Sequence, residues 1–338
     1  MKLRFGFIYR NKFLFLILLL SALVRFVGLV PNIAHTDEAY ITEHSKILFY
    51  KIVTSFDFDP HAYKYGSFIF YFQSLVYIPF FLLGFVLTNI GIASPPPTEF
   101  HNRIIDFVEY ATDTNSQFLF FEGRALTAIL GVLSVFLVYL IGKSLFTKDI
   151  GLLSALFLAI NPFHSRDSRY ITTDVPLLFF ILLAIFFMAN LWKTGKLKWY
   201  VLSGIAIGLS LTIKYFPLAF LPFPLVVFLD QRNKILHFKV IISILCIIFG
   251  IWLGIPFVFK RESINLIQYE VNAQLLWYGT TLTAFISSVV SFFASFGKNQ
   301  VLSLSTIIPT EITEFHSTFL IFRVLGIPLT IISLAGLL

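Results

Sequence analysis

Apolar residues in this chain come in long runs separated by short polar links. Runs near the roughly 20 residues that a bilayer-crossing helix needs fall at about 13–30, 68–92, 123–142, 150–165, 174–192, 199–213, 215–229, 239–258 and 319–338. Several are short, or are interrupted by Pro or Gly. They predict an all-α, polytopic integral membrane protein: one transmembrane domain over residues 1–338, with about eight spans. Two longer polar stretches remain, roughly 31–67 and 259–318, with a Pro-rich connection beginning Ser94-Pro95-Pro96-Pro97. No internal repeat and no soluble domain stands out.

Basic residues orient the spans, because Lys and Arg collect in cytoplasmic loops. Four compact clusters occur: the N-terminus, Lys143/Lys148, Lys193/Lys196/Lys198 and Arg232/Lys234/Lys239. All four share one side if two crossings separate each from the next. Only the run at 68–92 breaks that parity, so it is read as a re-entrant or interfacial helix on the outer face. Its Tyr71, Phe72, Gln73 and Tyr77 suit an interface. The competing reading, an ordinary span with the charge rule broken, stays open. In the preferred topology the N-terminus is cytoplasmic. Only Asp149 and Asp230 of the 18 acidic residues then face the cytoplasm, so the other 16 lie at the outer side.

Composition fits this picture. Apolar residues make up 57% and charged residues 13% of the chain, and mean hydropathy is +0.85. A soluble chain carries about a quarter charged residues. The net charge of +7 is explained by topology, and no nucleic-acid-binding motif accompanies it. The single Cys246 excludes a disulfide framework. The N-terminal run continues to Val30 without a small-residue cleavage site, which predicts a retained first span. P-loop, GxSxG, HExxH and dinucleotide-binding glycine patterns are absent.

Three constellations could carry chemistry. The first is His35-Thr36-Asp37-Glu38-Ala39-Tyr40, directly after the first span. Adjacent carboxylates at a membrane exit are costly and point to function. Thr36 or Asp37 could equally cap a helix running to about residue 49. The second runs from Asn161 to Asp174. Arg166 and Arg169, three residues apart, would share a helical face and suit phosphate recognition. An Arg–Asp pair stabilising the loop is the plainer reading, and Asp174 could cap the next span. The third is a set of cations at the outer membrane level: Arg25, Lys64, Arg124 and Lys214. Snorkelling explains any one of them, but their convergence suggests an anionic ligand such as a lipid phosphate.

In order and spacing these pieces resemble the GT-C membrane glycosyltransferases. The similar branch holds the dolichyl-phosphate-mannose protein mannosyltransferases and the lipid A aminoarabinose transferases. The matching motifs are Asp37-Glu38, the Tyr-Lys-Tyr-Gly segment before the interfacial run, and Arg124 to Gly131. Ser168-Arg169-Tyr170…Asp174 and Gly204…Gly208-Leu209…Lys214-Tyr215 complete the series.

The resemblance implies a GT-C-like helical bundle with interfacial helices in the first outer loop. It implies an inverting transfer of a sugar from a polyprenyl-phosphate carrier to a lipid, glycan or protein acceptor on the extracytoplasmic face, among membrane lipids. It maps catalysis to Asp37, with Glu38 beside it, and to Asp174. It maps lipid-phosphate binding to Lys64, Arg166, Arg169 and Lys214. Some relatives bind a divalent metal and others need none, so no metal site is assigned. The chain stops at Leu338 within an apolar run, where relatives continue through further spans. A transporter or flippase without covalent chemistry is the alternative, although such carriers place ionisable groups nearer the midplane.

Overall fold

The structure is a computed structural model, and it describes residues 12–29, 35–79, 82, 86, 117–214 and 236–257. The chain divides into two compact units, Met1–Ile264 and Asn265–Leu338, and every described residue belongs to the first. The runs expected at 215–229 and 319–338 lie outside the described residues, as does most of 80–92.

Among the described residues every regular element is a helix. In chain order they are α1 (Lys12–Phe26), α2 (Thr36–Ser55), α3 (Phe68–Ser74), α4 (Gln117–Leu145), α5 (Lys148–Ile160), α6 (Pro162–Asp167), α7 (Asp174–Thr194), α8 (Leu197–Leu211) and α9 (Leu236–Gly254). Among the described residues two helical stretches, Phe121–Leu145 and Asp174–Thr194, are long and apolar enough to cross a membrane.

Two expected continuous runs prove broken. The run at 150–165 stops at Ile160, because Asn161 turns extended and Pro162 starts a new helix. The Asn161 side chain accepts from the amides of Phe163 and His164, the usual chemistry of a helix start. The run from 68 is helical to Ser74, turns at Leu75 and Val76, and is helical again from Tyr77. The helix after the first span is also longer than expected, reaching Ser55, where Phe56 ends it in the left-handed conformation.

Small residues allow close helix packing in the absence of bulk. A Cβ on Gly142 would lie 2.7 Å from Cα of Gly151, which draws α4 and α5 together. A Cβ on Gly208 would lie 2.4 Å from the Ile247 carbonyl oxygen, and this sets α8 against α9. α7 packs on both α4 and α8, and α1 lies against α4 and α5. One core cluster joins Ile41, Leu48, Ile69 and Phe70 to Ile171, Phe180 and Ile213. It fastens α2 and α3 to one end of the bundle. Outward, α1 exposes Phe13, Leu16, Leu19 and Leu23, and α9 exposes Ile241, Ile244, Ile248 and Trp252. Apolar faces of that extent mark contact with something other than water.

Candidate active site

Asp37 and Glu38 open α2, and His35 caps it. The His35 ring accepts the Asp37 amide while Glu38 reaches back to the His35 amide, making a capping box. This corrects the expectation that Thr36 or Asp37 would be the cap. With the cap supplied by His35, the Asp37 side chain is directed elsewhere.

That elsewhere is the Tyr-Lys-Tyr-Gly segment. Tyr65 donates its hydroxyl to Asp37 Oδ1 at 2.6 Å, and Lys64 Nζ lies 3.8 Å from the same oxygen. The Lys64 ammonium also sits over the rings of Tyr40 and Tyr65. Asp37 keeps partial exposure, with 24% of its side-chain surface accessible.

Glu38 has the opposite environment. It is 0% exposed and takes a two-pronged ion pair from Arg124, with Nε to Oε1 and Nη2 to Oε2 both at 2.7 Å. The amide of Ile171 also donates to it at 2.9 Å. Glu38 therefore ties α2, α4 and the loop before α7 together. Arg124 was expected among the cations facing a ligand. Its burial, its pairing with Glu38 and its position under the Tyr170 ring give it a structural task instead.

The 64–68 segment docks on the end of α8. The amide of Gly66 donates to the Ile213 carbonyl at 3.1 Å and that of Phe68 to the Thr212 carbonyl at 3.0 Å. A Cβ on Gly66 would sit 2.0 Å from the Thr212 carbonyl oxygen, so only glycine permits this contact. Lys214 follows at once and donates to Asp174 Oδ1 at 3.1 Å. Asp174 is the first residue of α7, after the Thr173 cap position, where no side-chain capping bond forms. Asp37 and Asp174 are thus gathered at one end of the bundle, each paired with a lysine. Burial, the bond to Asp37 and the charges of Asp37 and Asp174 push the Tyr65 phenol well above its ordinary range. It remains a protonated donor.

The other arginines diverge. Arg166 pairs with its neighbour Asp167 at 2.9 Å and lies over the Phe163 ring. Arg169 instead donates Nε to the Val24 carbonyl at 3.1 Å. The Arg169 amide closes a turn on the Arg166 carbonyl at the end of α6, but the two side chains go to different partners. Arg25 is fully buried. It donates to the carbonyls of Leu158 and Ala159 at the end of α5, and lies 2.7 Å from His164 Nδ1. It holds the break between α5 and α6.

No sequence motif gives Tyr65 a role of its own; the signal nearest to it is Gly66, whose glycine the Thr212 contact requires. Among the described residues no three His, Cys, Asp or Glu side chains come together as a metal site.

Residues 116–259 match the family of dolichyl-phosphate-mannose-protein mannosyltransferases. The matched segment holds Arg124, Arg166, Arg169, Asp174 and Lys214, while Asp37, Glu38 and Lys64 precede it. A candidate mannosyltransferase of Bacillus subtilis, YkcB, is 28% identical over 134 residues, which are 39% of this chain and 19% of that protein. The match therefore spans about a fifth of that relative's length. The crystal structure of the Archaeoglobus fulgidus oligosaccharyltransferase with Zn and sulfate superposes with a TM-score of 0.46 and 17% identity, covering 92% of this chain and 40% of that one. Over residues 116–259 the chain is thus similar to the dolichyl-phosphate-mannose-protein mannosyltransferases.

Proposed function

We propose that the chain moves a sugar from a polyprenyl-phosphate carrier to an acceptor at the extracytoplasmic face of a membrane that it crosses several times. The observation that carries this reading is the pairing of Asp37 with Tyr65 and Lys64 at the same end of the bundle as Asp174 with Lys214. A partly exposed carboxylate beside cations suits a reaction in which a proton is taken up and a phosphate departs.

Asp37 acts as general base. It removes the proton from the acceptor nucleophile, which attacks the anomeric carbon and displaces the carrier phosphate with inversion. Lys64 and Lys214 bind that phosphate and offset its developing charge. Each already meets a carboxylate, so binding exchanges one anionic partner for another. Arg166 and Arg169 flank the phosphate side, and Asp174 orients Lys214. Glu38, buried and paired, positions Asp37 and takes no part in proton transfer. The acceptor is a lipid, a glycan or a protein, and the carrier's tail lies among the helices. The outward apolar faces of α1 and α9 support a multi-pass setting, and the basic clusters support an outward-facing site.

The test uses membranes containing the chain and polyprenyl-phosphate mannose labelled in the sugar. Label should leave the carrier with the native chain and stay on it with Asp37→Asn. Equal turnover by the two would sink the assignment.

A further inference from the structure

We propose that Tyr65 is the positioning residue of this site: its hydroxyl fixes the Asp37 carboxylate and its ring carries the Lys64 ammonium. One side chain then sets the base and the cation relative to each other. The inference rests on the reading of Asp37 as the base.

Three observations carry it. First, the 2.6 Å bond from the Tyr65 hydroxyl occupies Oδ1 of Asp37. Such charge-assisted bonds are short and directional. They leave Oδ2, which lies 3.9 Å from His35 Nδ1, as the oxygen that takes the acceptor's proton. Second, Lys64 Nζ lies 5.1 Å from the Tyr65 ring centroid and 5.4 Å from that of Tyr40. This is the distance at which an aromatic face attracts a cation. The Lys64 side chain is still 53% exposed, so the ring holds the ammonium where a phosphate can reach it. Third, Tyr65 itself cannot drift. It is buried, and the next residue is bonded to the Ile213 carbonyl, one residue before Lys214. Positions fixed on rigid elements in this way are what productive geometry requires.

The two halves of the side chain can be separated by substitution. Tyr65→Phe keeps the ring and removes the hydroxyl; Tyr65→Leu removes both. With labelled polyprenyl-phosphate mannose as donor, Tyr65→Phe should lower kcat roughly ten- to a hundredfold, the loss expected when a charged group gives up one hydrogen bond. Its KM for the donor should not move. Tyr65→Leu should lower kcat as much and also raise KM about two- to fivefold, the loss expected with the cation–ring contact. A purely structural role would change the yield of folded protein without this split. Native kcat in Tyr65→Phe overturns the proposal, as does an equal KM rise in both variants. The Phe variant alone keeps the proposal falsifiable where Tyr65→Leu does not fold. Native turnover by Asp37→Asn overturns instead the reading on which the inference rests, so the two failures are distinguishable.

Discussion

Asp37 and Glu38 are adjacent carboxylates in opposite surroundings. Glu38 accepts both prongs of Arg124, 86 residues further along the chain, together with two backbone amides. Asp37 meets a phenol and a lysine at the surface. Losing one member of a buried ion pair leaves the other charge uncompensated, at a cost of about 3–5 kcal/mol. Glu38→Gln should therefore lower the thermal midpoint and the yield of folded chain, whereas Asp37→Asn should leave both near native. Unfolding followed by intrinsic fluorescence in detergent separates the two. The sequence marked this pair as unusual but could not rank its members. Which of two neighbours faces inward depends on helix phase and on Arg124, and neither is visible locally.

At the level of elements, the long runs were legible as helices because each is apolar over a length that only a helix fills. Their breaks were less so. Asn161-Pro162 splits one expected run, and the bonds from Arg25 to the Leu158 and Ala159 carbonyls hold the two pieces. Besides Ser21 one turn earlier, the groups Arg25 bonds lie more than a hundred residues away, so nothing near it in sequence signals that role. Gly66 was more informative. It belongs to a motif that drew attention, and the structure gives its physical reason in the contact with Thr212. Gly66→Ala should push the 64–68 segment off the end of α8 and separate Lys64 and Tyr65 from Lys214. We expect a fall in kcat and a rise in donor KM, both measured with the labelled carrier. Unaltered kinetics would mean that this docking does not position the site.

For the whole molecule, the expectation of one working face rested on counting crossings between basic clusters. The bundle brings the start of α2, the segment before α3, the loop before α7 and the end of α8 to a common end. Lys239 bonds to the Gly195 carbonyl, away from that set, and joins two of the basic clusters. The orientation across a membrane is testable with single cysteines in a Cys246→Ser background. A cysteine at Phe56, which is 80% exposed, should react with an impermeant maleimide in intact cells. A cysteine at Lys196 should react only after permeabilisation. The reverse pattern would invert the topology and move the site to the cytoplasmic side.

The account turns on one carboxylate. Its most direct test is release of labelled sugar from polyprenyl-phosphate mannose by membranes holding equal amounts of folded native chain and Asp37→Asn. The account predicts release by the native chain, and a loss of about a hundredfold or more in the variant, the scale of a missing general base. Release at the native rate by Asp37→Asn would contradict it.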